Sequence, residues 1–285
     1  MEQELAKRDE SLKQTAVKLH KMVLGTLTDT HDLAKQRPVG STKFLRVIEG
    51  TYRRAFSTLD AIAVLAKPPD YGLGNPSMIL ARSLVEDGVG IEYMINTDQE
   101  AQAIKFQEFT YYQGHEDNKF LKASGLASQP IIKVSIADIE KEYKKVKDNY
   151  INQDTKLLFR NWVGKDVEGL LRELAKINSP TFGATDIKGL ARSYVSGNRK
   201  THFNPIDIVL YLDQNLLARS YAESEVSALS VALSVYIRLT TRYIDTISHA
   251  AGKNTYHNIA AKVIATLKEM DKLEIYEPDI GGDKP

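Results

Sequence analysis

The chain has no cysteine. Disulfides, thiolate nucleophiles and zinc sites built on sulfur are therefore excluded. An excess of one charge sign is also missing: 38 Lys and Arg stand against 37 Asp and Glu, a net charge of +1. A protein whose main task is gripping a nucleic-acid backbone carries a basic excess, so that task is disfavoured, although a local basic groove stays open. Long hydrophobic runs are absent. The longest apolar stretch near the C-terminus, residues 226–237, is followed by Arg238 and Arg242 and is too short to span a bilayer, so no membrane partner is expected. The opening MEQELAKRDE is charged and lacks an apolar centre. No signal peptide is expected from it, and the expected location is the cytoplasm. There is no P-loop, no dinucleotide glycine fingerprint and no Gly-x-Ser-x-Gly elbow, and no cofactor is expected.

What the chain does have is helical periodicity. Hydrophobic residues make up 42% of 285, enough for a sizeable core. Leu5, Leu12, Ala16, Leu19, Val23 and Leu27 predict a first helix to about Lys35, with its first turns polar enough to project. Ser41 is read as the cap of a second helix carrying Phe44, Ile48, Tyr52, Ala55, Leu59 and Ile62. Residues 78–96, MILARSLVEDGVGIEYMIN, read as a helix apolar on nearly every side, the kind normally buried at the centre of a domain. Thr97 and Glu100 have the spacing of a capping box for the next helix. Ser135 begins another, densely charged one, and a short helix follows Trp162 over residues 167–177. A long helix over residues 223–250 and a last one over 255–272 complete the set, before a charged flexible tail, 276–285. Only residues 206–212, IDIVLYL, look strand-like, and no partner strand is in view. The expected fold is all-α: an irregular multi-helix bundle of eight or nine helices around residues 78–96. One domain is expected to span residues 1–285, with the helix in 1–36 free to project.

Two polar constellations stand in apolar settings. Arg82, Ser83, Glu86 and Gly90 form the first, and on a helix 82, 86 and 90 share a face. An arginine in an apolar helix needs a partner, and Glu86 is four residues on. This is either an anion site beside a general base or an ion pair tying the helix to its neighbours. Tyr194, Ser196, Asn198, Arg199 and His202 form the second. His202 beside Arg199 is a candidate general acid/base with a phosphate clamp, and Tyr194, Ser196 and Asn198 are candidate substrate contacts. The alternative is a helix end whose basic groups meet the last carbonyls. A di-iron bundle would need Glu-x-x-His, but the residues three before the six histidines are Val17, Thr28, Tyr112, Arg199, Thr246 and Asn254. No metal site is expected. Arg238, Arg242 and Asp245 are read as a solvated or interhelical ion pair.

The order Arg82-Ser83-Leu84-Val85-Glu86, then Trp162 before a short helix, then Tyr194-x-Ser196 and His202, resembles a bacterial all-helical family filed as a domain of unknown function. Its pattern is Arg-(Ser/Thr)-Leu-x-Glu, then Tyr-x-x-(Leu/Val)-Ser and a downstream His, and the likeness covers about residues 40 to 250. Here the Tyr-to-Ser spacing is one residue rather than three. The resemblance implies a fold and a shared polar site. A looser likeness is to the helical ribonuclease domains of prokaryotic toxins and phage defence, which carry Arg-x4–6-His, whereas this chain has Arg199-x2-His202 and Arg192-x9-His202.

Two functions are therefore expected in order. The first is a non-catalytic sensor or scaffold that binds a protein partner, a second copy of the chain or a small anion. In it Arg82, Glu86 and His202 form a closed, pocketless polar network that fixes the fold, and the docking surface is the polar helix over residues 136–152 or the N-terminal helix. The second is a metal-independent ribonuclease using His202, with Arg199, Arg82 and Glu86 around one pocket and a basic rim for RNA.

Overall fold

The computed structural model describes residues 2–36, 41–67, 74–126, 135–151, 162–177, 190, 194, 214–251 and 256–273. Among these are eight α-helices: α1 (Glu2–Lys35), α2 (Lys43–Leu65), α3 (Gly74–Asn96), α4 (Gln99–Ala123), α5 (Ile136–Val146), α6 (Val167–Ile177), α7 (Gln214–Ala251) and α8 (His257–Met270). A 3-10 turn, Lys147–Tyr150, extends α5. Leu190 and Tyr194 are also helical. The described residues contain no sheet, and the protein is an all-α multi-helix bundle. No helix among them is long and apolar enough to cross a membrane. The strand-like stretch 206–212 and the tail 276–285 lie outside the described residues.

The stripes on α1 and α2 bury as their spacing requires. Leu12, Ala16, Leu19, Val23 and Leu27 from α1 meet Ile48, Tyr52, Ala55, Leu59 and Ile62 from α2 in one core. The long helix α7 lies against α1, α2, α3 and α8, and its largest interface is with α3. Leu84, Val85 and Val89 of α3 and Leu229, Leu233 and Tyr236 of α7 belong to that same core. The polar start of α1 is tied down by Arg8, whose guanidinium pairs with Glu223 of α7 at 2.9 Å. Where α1, α2 and α7 meet, a chain of hydroxyls is buried: Thr30 Oγ1 lies 2.8 Å from the Tyr236 hydroxyl, which lies 2.9 Å from that of Tyr52. Burial pushes both phenols above their ordinary range.

Two helix starts differ from expectation for one physical reason. The cap of α2 is Thr42, whose hydroxyl accepts from Leu45 N at 3.2 Å. Glu100, expected to close a capping box with Thr97, instead reaches across to α2, accepting from Lys43 N at 2.8 Å and Phe44 N at 3.1 Å. Those amides have no partner within their own helix and sit at its positive end, so a neighbouring carboxylate is held there as well as by its own cap. Asp98 takes the capping role for α4, accepting from Ala101 N at 3.1 Å, while Thr97 donates back to Tyr93 O at 2.7 Å.

A second, smaller core of Phe109, Tyr112, Val146 and Tyr150 joins α4 to α5 and the 3-10 turn. Trp162 packs against both cores. Gly164, at φ 75°, lets the chain turn sharply between Trp162 and α6. That turn brings the start of α6 beside the indole, and Asp166 Oδ1 caps α6 by accepting from Gly169 N at 2.7 Å.

Candidate binding groove on the central helix

The helix expected to be buried on every side is open along one. Arg82, Glu86 and Gly90 do share a face of α3, but the Arg82 side chain is 24% exposed and that of Glu86 40%. Their face looks into a cavity of about 710 Å³ between α2, α3, α4 and α6. The expectation of a closed network is corrected on this point. The apolar face of α3 is committed to α7, so its polar face falls on the side where α2 and α6 do not close over it.

The geometry of the first constellation is a short polar relay. Arg82 Nη2 pairs with Glu86 Oε1 at 2.8 Å and donates to the Tyr194 hydroxyl at 3.3 Å. The guanidinium carbon lies 5.0 Å from the centre of the Tyr194 ring, so the contact is also cation–π. Burial alone would lower the Arg82 pKa, but the Tyr194 hydroxyl and the Glu86 carboxylate outweigh it and hold the value above normal. Tyr194 thus joins the second constellation to the first. Ser196, Asn198, Arg199 and His202 lie outside the described residues.

Residues that the sequence reading passed over complete the groove. Arg54 of α2 donates from Nε to Asp87 Oδ2 at 2.9 Å and holds the other carboxylate oxygen through Nη2. One turn further on, Glu92 points the other way, into α7. Arg242 donates to it twice, from Nε at 3.1 Å and Nη2 at 2.9 Å, and Asn96 Nδ2 adds a bond at 2.9 Å. Arg242 is therefore interhelical, as one of its two expected roles, but its partner is Glu92 rather than Asp245. The signal for Asp87 and Glu92 was present as bare carboxylates in an apolar helix. Their partners are 33 and 150 residues away, so no local spacing reveals them.

The groove has two kinds of lining. Phe106, Phe109 and Trp162 supply an aromatic wall, with Ile91, Met94 and Leu170 beside it. The indole meets the Phe106 ring edge-on, with centroids 5.8 Å apart. Among the described residues the charged lining is acidic: Glu86, Asp87, Asp166 and Glu168 against Arg54 and Arg82. Gly90 lies on the floor, and a Cβ built on it would meet nothing within 4 Å. A glycine inside a helix costs about 1 kcal/mol relative to alanine. Gly90→Ala should therefore raise stability by roughly that amount, measured by urea unfolding. A loss instead would mean that the groove is filled tightly in solution.

A family model described as "Family of unknown function (DUF5677)" matches residues 45–216, more than half of the chain. The chain belongs to DUF5677. The matched stretch runs from the first turn of α2 to the first turn of α7, so every groove-lining residue named above falls within the DUF5677 region. No curated protein and no solved structure matches the chain.

Proposed function

We propose that this DUF5677 chain is a binding module whose groove on α3 receives a ligand, a sensor or scaffold rather than an RNA-cutting enzyme. The observation that carries this reading is the groove itself. Its volume of about 710 Å³ is in the range of small-molecule sites, and it combines an apolar aromatic wall with a few charged groups. Arg82, Glu86 and Tyr194 are the polar contacts at its mouth. A network whose only role was to fix the fold would have its charges closed off by packing. The core shared by α1, α2, α3, α6, α7 and α8 supports reading residues 1–285 as one helical domain around this site.

The charge of the groove argues against the ribonuclease reading. Among the described residues four carboxylates and two arginines line it, and each arginine is paired with a carboxylate. Such a surface repels a phosphate backbone where a nuclease needs a basic rim. The test uses a labelled RNA pool with the wild type, Glu86→Gln and His202→Ala, alongside thermal melting of each. No cleavage by any of the three is expected. Glu86→Gln should shift stability by no more than about 0.5 kcal/mol, because its pair is part-exposed. Cleavage by the wild type that vanishes in both variants at unchanged melting would overturn the binding reading and make His202 and Glu86 catalytic.

A further inference from the structure

Taking the groove to be a binding site, as the reading above does, we propose that its ligand carries an organic cation, a quaternary or alkylated ammonium or a guanidinium joined to an apolar or aromatic body. Three observations converge. Among the described residues the formal charge of the lining is −2, from Glu86, Asp87, Asp166 and Glu168 against Arg54 and Arg82. Each arginine already holds a carboxylate, although Arg82 Nε is buried without a hydrogen-bond partner among the described residues, whereas Glu86 is 40% exposed. On α6 Glu168 is 49% exposed, and its contact with Arg172 is long, at 3.5 Å. Phe106, Phe109 and Trp162 line the same cavity, and an indole face is the best side-chain surface for a desolvated cation.

The aromatic wall also separates an organic cation from a metal ion. A hard cation needs several convergent oxygens, and among the described residues no group of three or more His, Asp or Glu could hold one. An alkylated ammonium asks for diffuse negative charge and π surface, which is what the groove offers. Gly90 adds depth on the floor, where any side chain would stand in the ligand's space. A second cavity of about 430 Å³ borders Trp162, with Lys105, Lys165 and Glu108 in its lining.

Trp162 is the only tryptophan, so occupancy of the groove can be read directly from its emission. The probe is benzyltrimethylammonium titrated into the full chain, with benzoate as the anion of similar size. A saturable change with the cation is expected. Glu86→Gln should weaken it about fivefold and the Glu86→Gln/Glu168→Gln pair about tenfold, at unchanged melting temperature. Gly90→Leu should abolish it. No saturable response, or one that the carboxylate variants leave untouched, overturns the inference. Benzoate binding that Gly90→Leu abolishes, without cation binding, overturns the charge assignment alone and leaves the groove as a binding site. RNA cleavage lost with Glu86 and His202 would instead remove the binding reading beneath it.

Discussion

Arg242→Leu should destabilise the folded chain by about 3 kcal/mol or more. The pair it breaks is among the most enclosed charges of the bundle. The Glu92 side chain is 1% exposed, against 21% for Arg242, and two guanidinium bonds and one Asn96 amide bond satisfy it. Without Arg242 the carboxylate loses two charge-assisted guanidinium bonds in a low-dielectric site between α3 and α7. The cost is that of desolvated charge-assisted bonds rather than of one neutral hydrogen bond. The double variant Arg242→Leu/Glu92→Leu removes both charges and offers apolar volume in their place, so most of the loss should return. Urea unfolding of the two single variants and the double variant measures the coupling between them. A loss below about 1 kcal/mol for Arg242→Leu would show that water reaches Glu92 and that the α3–α7 interface is looser than its packing implies.

How much of this was legible beforehand depends on the range of each interaction. The stripe on α1 and the stripe on α2 are read from i, i+3 and i+4 spacing, and the structure buries both. The Arg82–Glu86 pair is read the same way and forms at 2.8 Å. Glu100 shows where local spacing misleads: it lies three residues after Thr97, yet its carboxylate serves α2. The helix signal was equally local for α3. Its apolar composition correctly put it at the centre, but composition does not say which side the neighbours leave open. That side is set by α7 lying on one face and by α6 and Trp162 standing off the other. Asp87, Glu92, Arg54 and Trp162 acquire their roles only through contacts between segments distant in sequence, and the acidic character of the groove is the sum of them. The order of motifs, with Arg82 and Glu86 followed by Trp162 and then Tyr194, says nothing of which segments meet, and it is the tertiary packing that lines one groove with all four.

The second large effect separates stability from binding at that same wall. Arg54→Leu should cost about 2 kcal/mol, whereas Asp87→Asn should cost less than about 1 kcal/mol. The asymmetry follows from burial. The Asp87 side chain is 3% exposed and that of Arg54 is 65% exposed. Removing Arg54 strands a buried carboxylate on α3, while removing the charge of Asp87 leaves a guanidinium that water can hydrate. Equal costs for the two would mean that the pair is wholly solvated and that Asp87 has no part in fixing the groove. The two changes should act oppositely on a cation. Arg54→Leu raises the excess of carboxylates in the lining, from four against two to four against one, and should tighten benzyltrimethylammonium even as it lowers stability. Asp87→Asn brings the lining to three carboxylates against two arginines and should weaken the same probe with little loss of stability. A less stable variant that binds better is not explained by a general loosening of the bundle. It requires that the field of the groove, and not merely its shape, selects what enters.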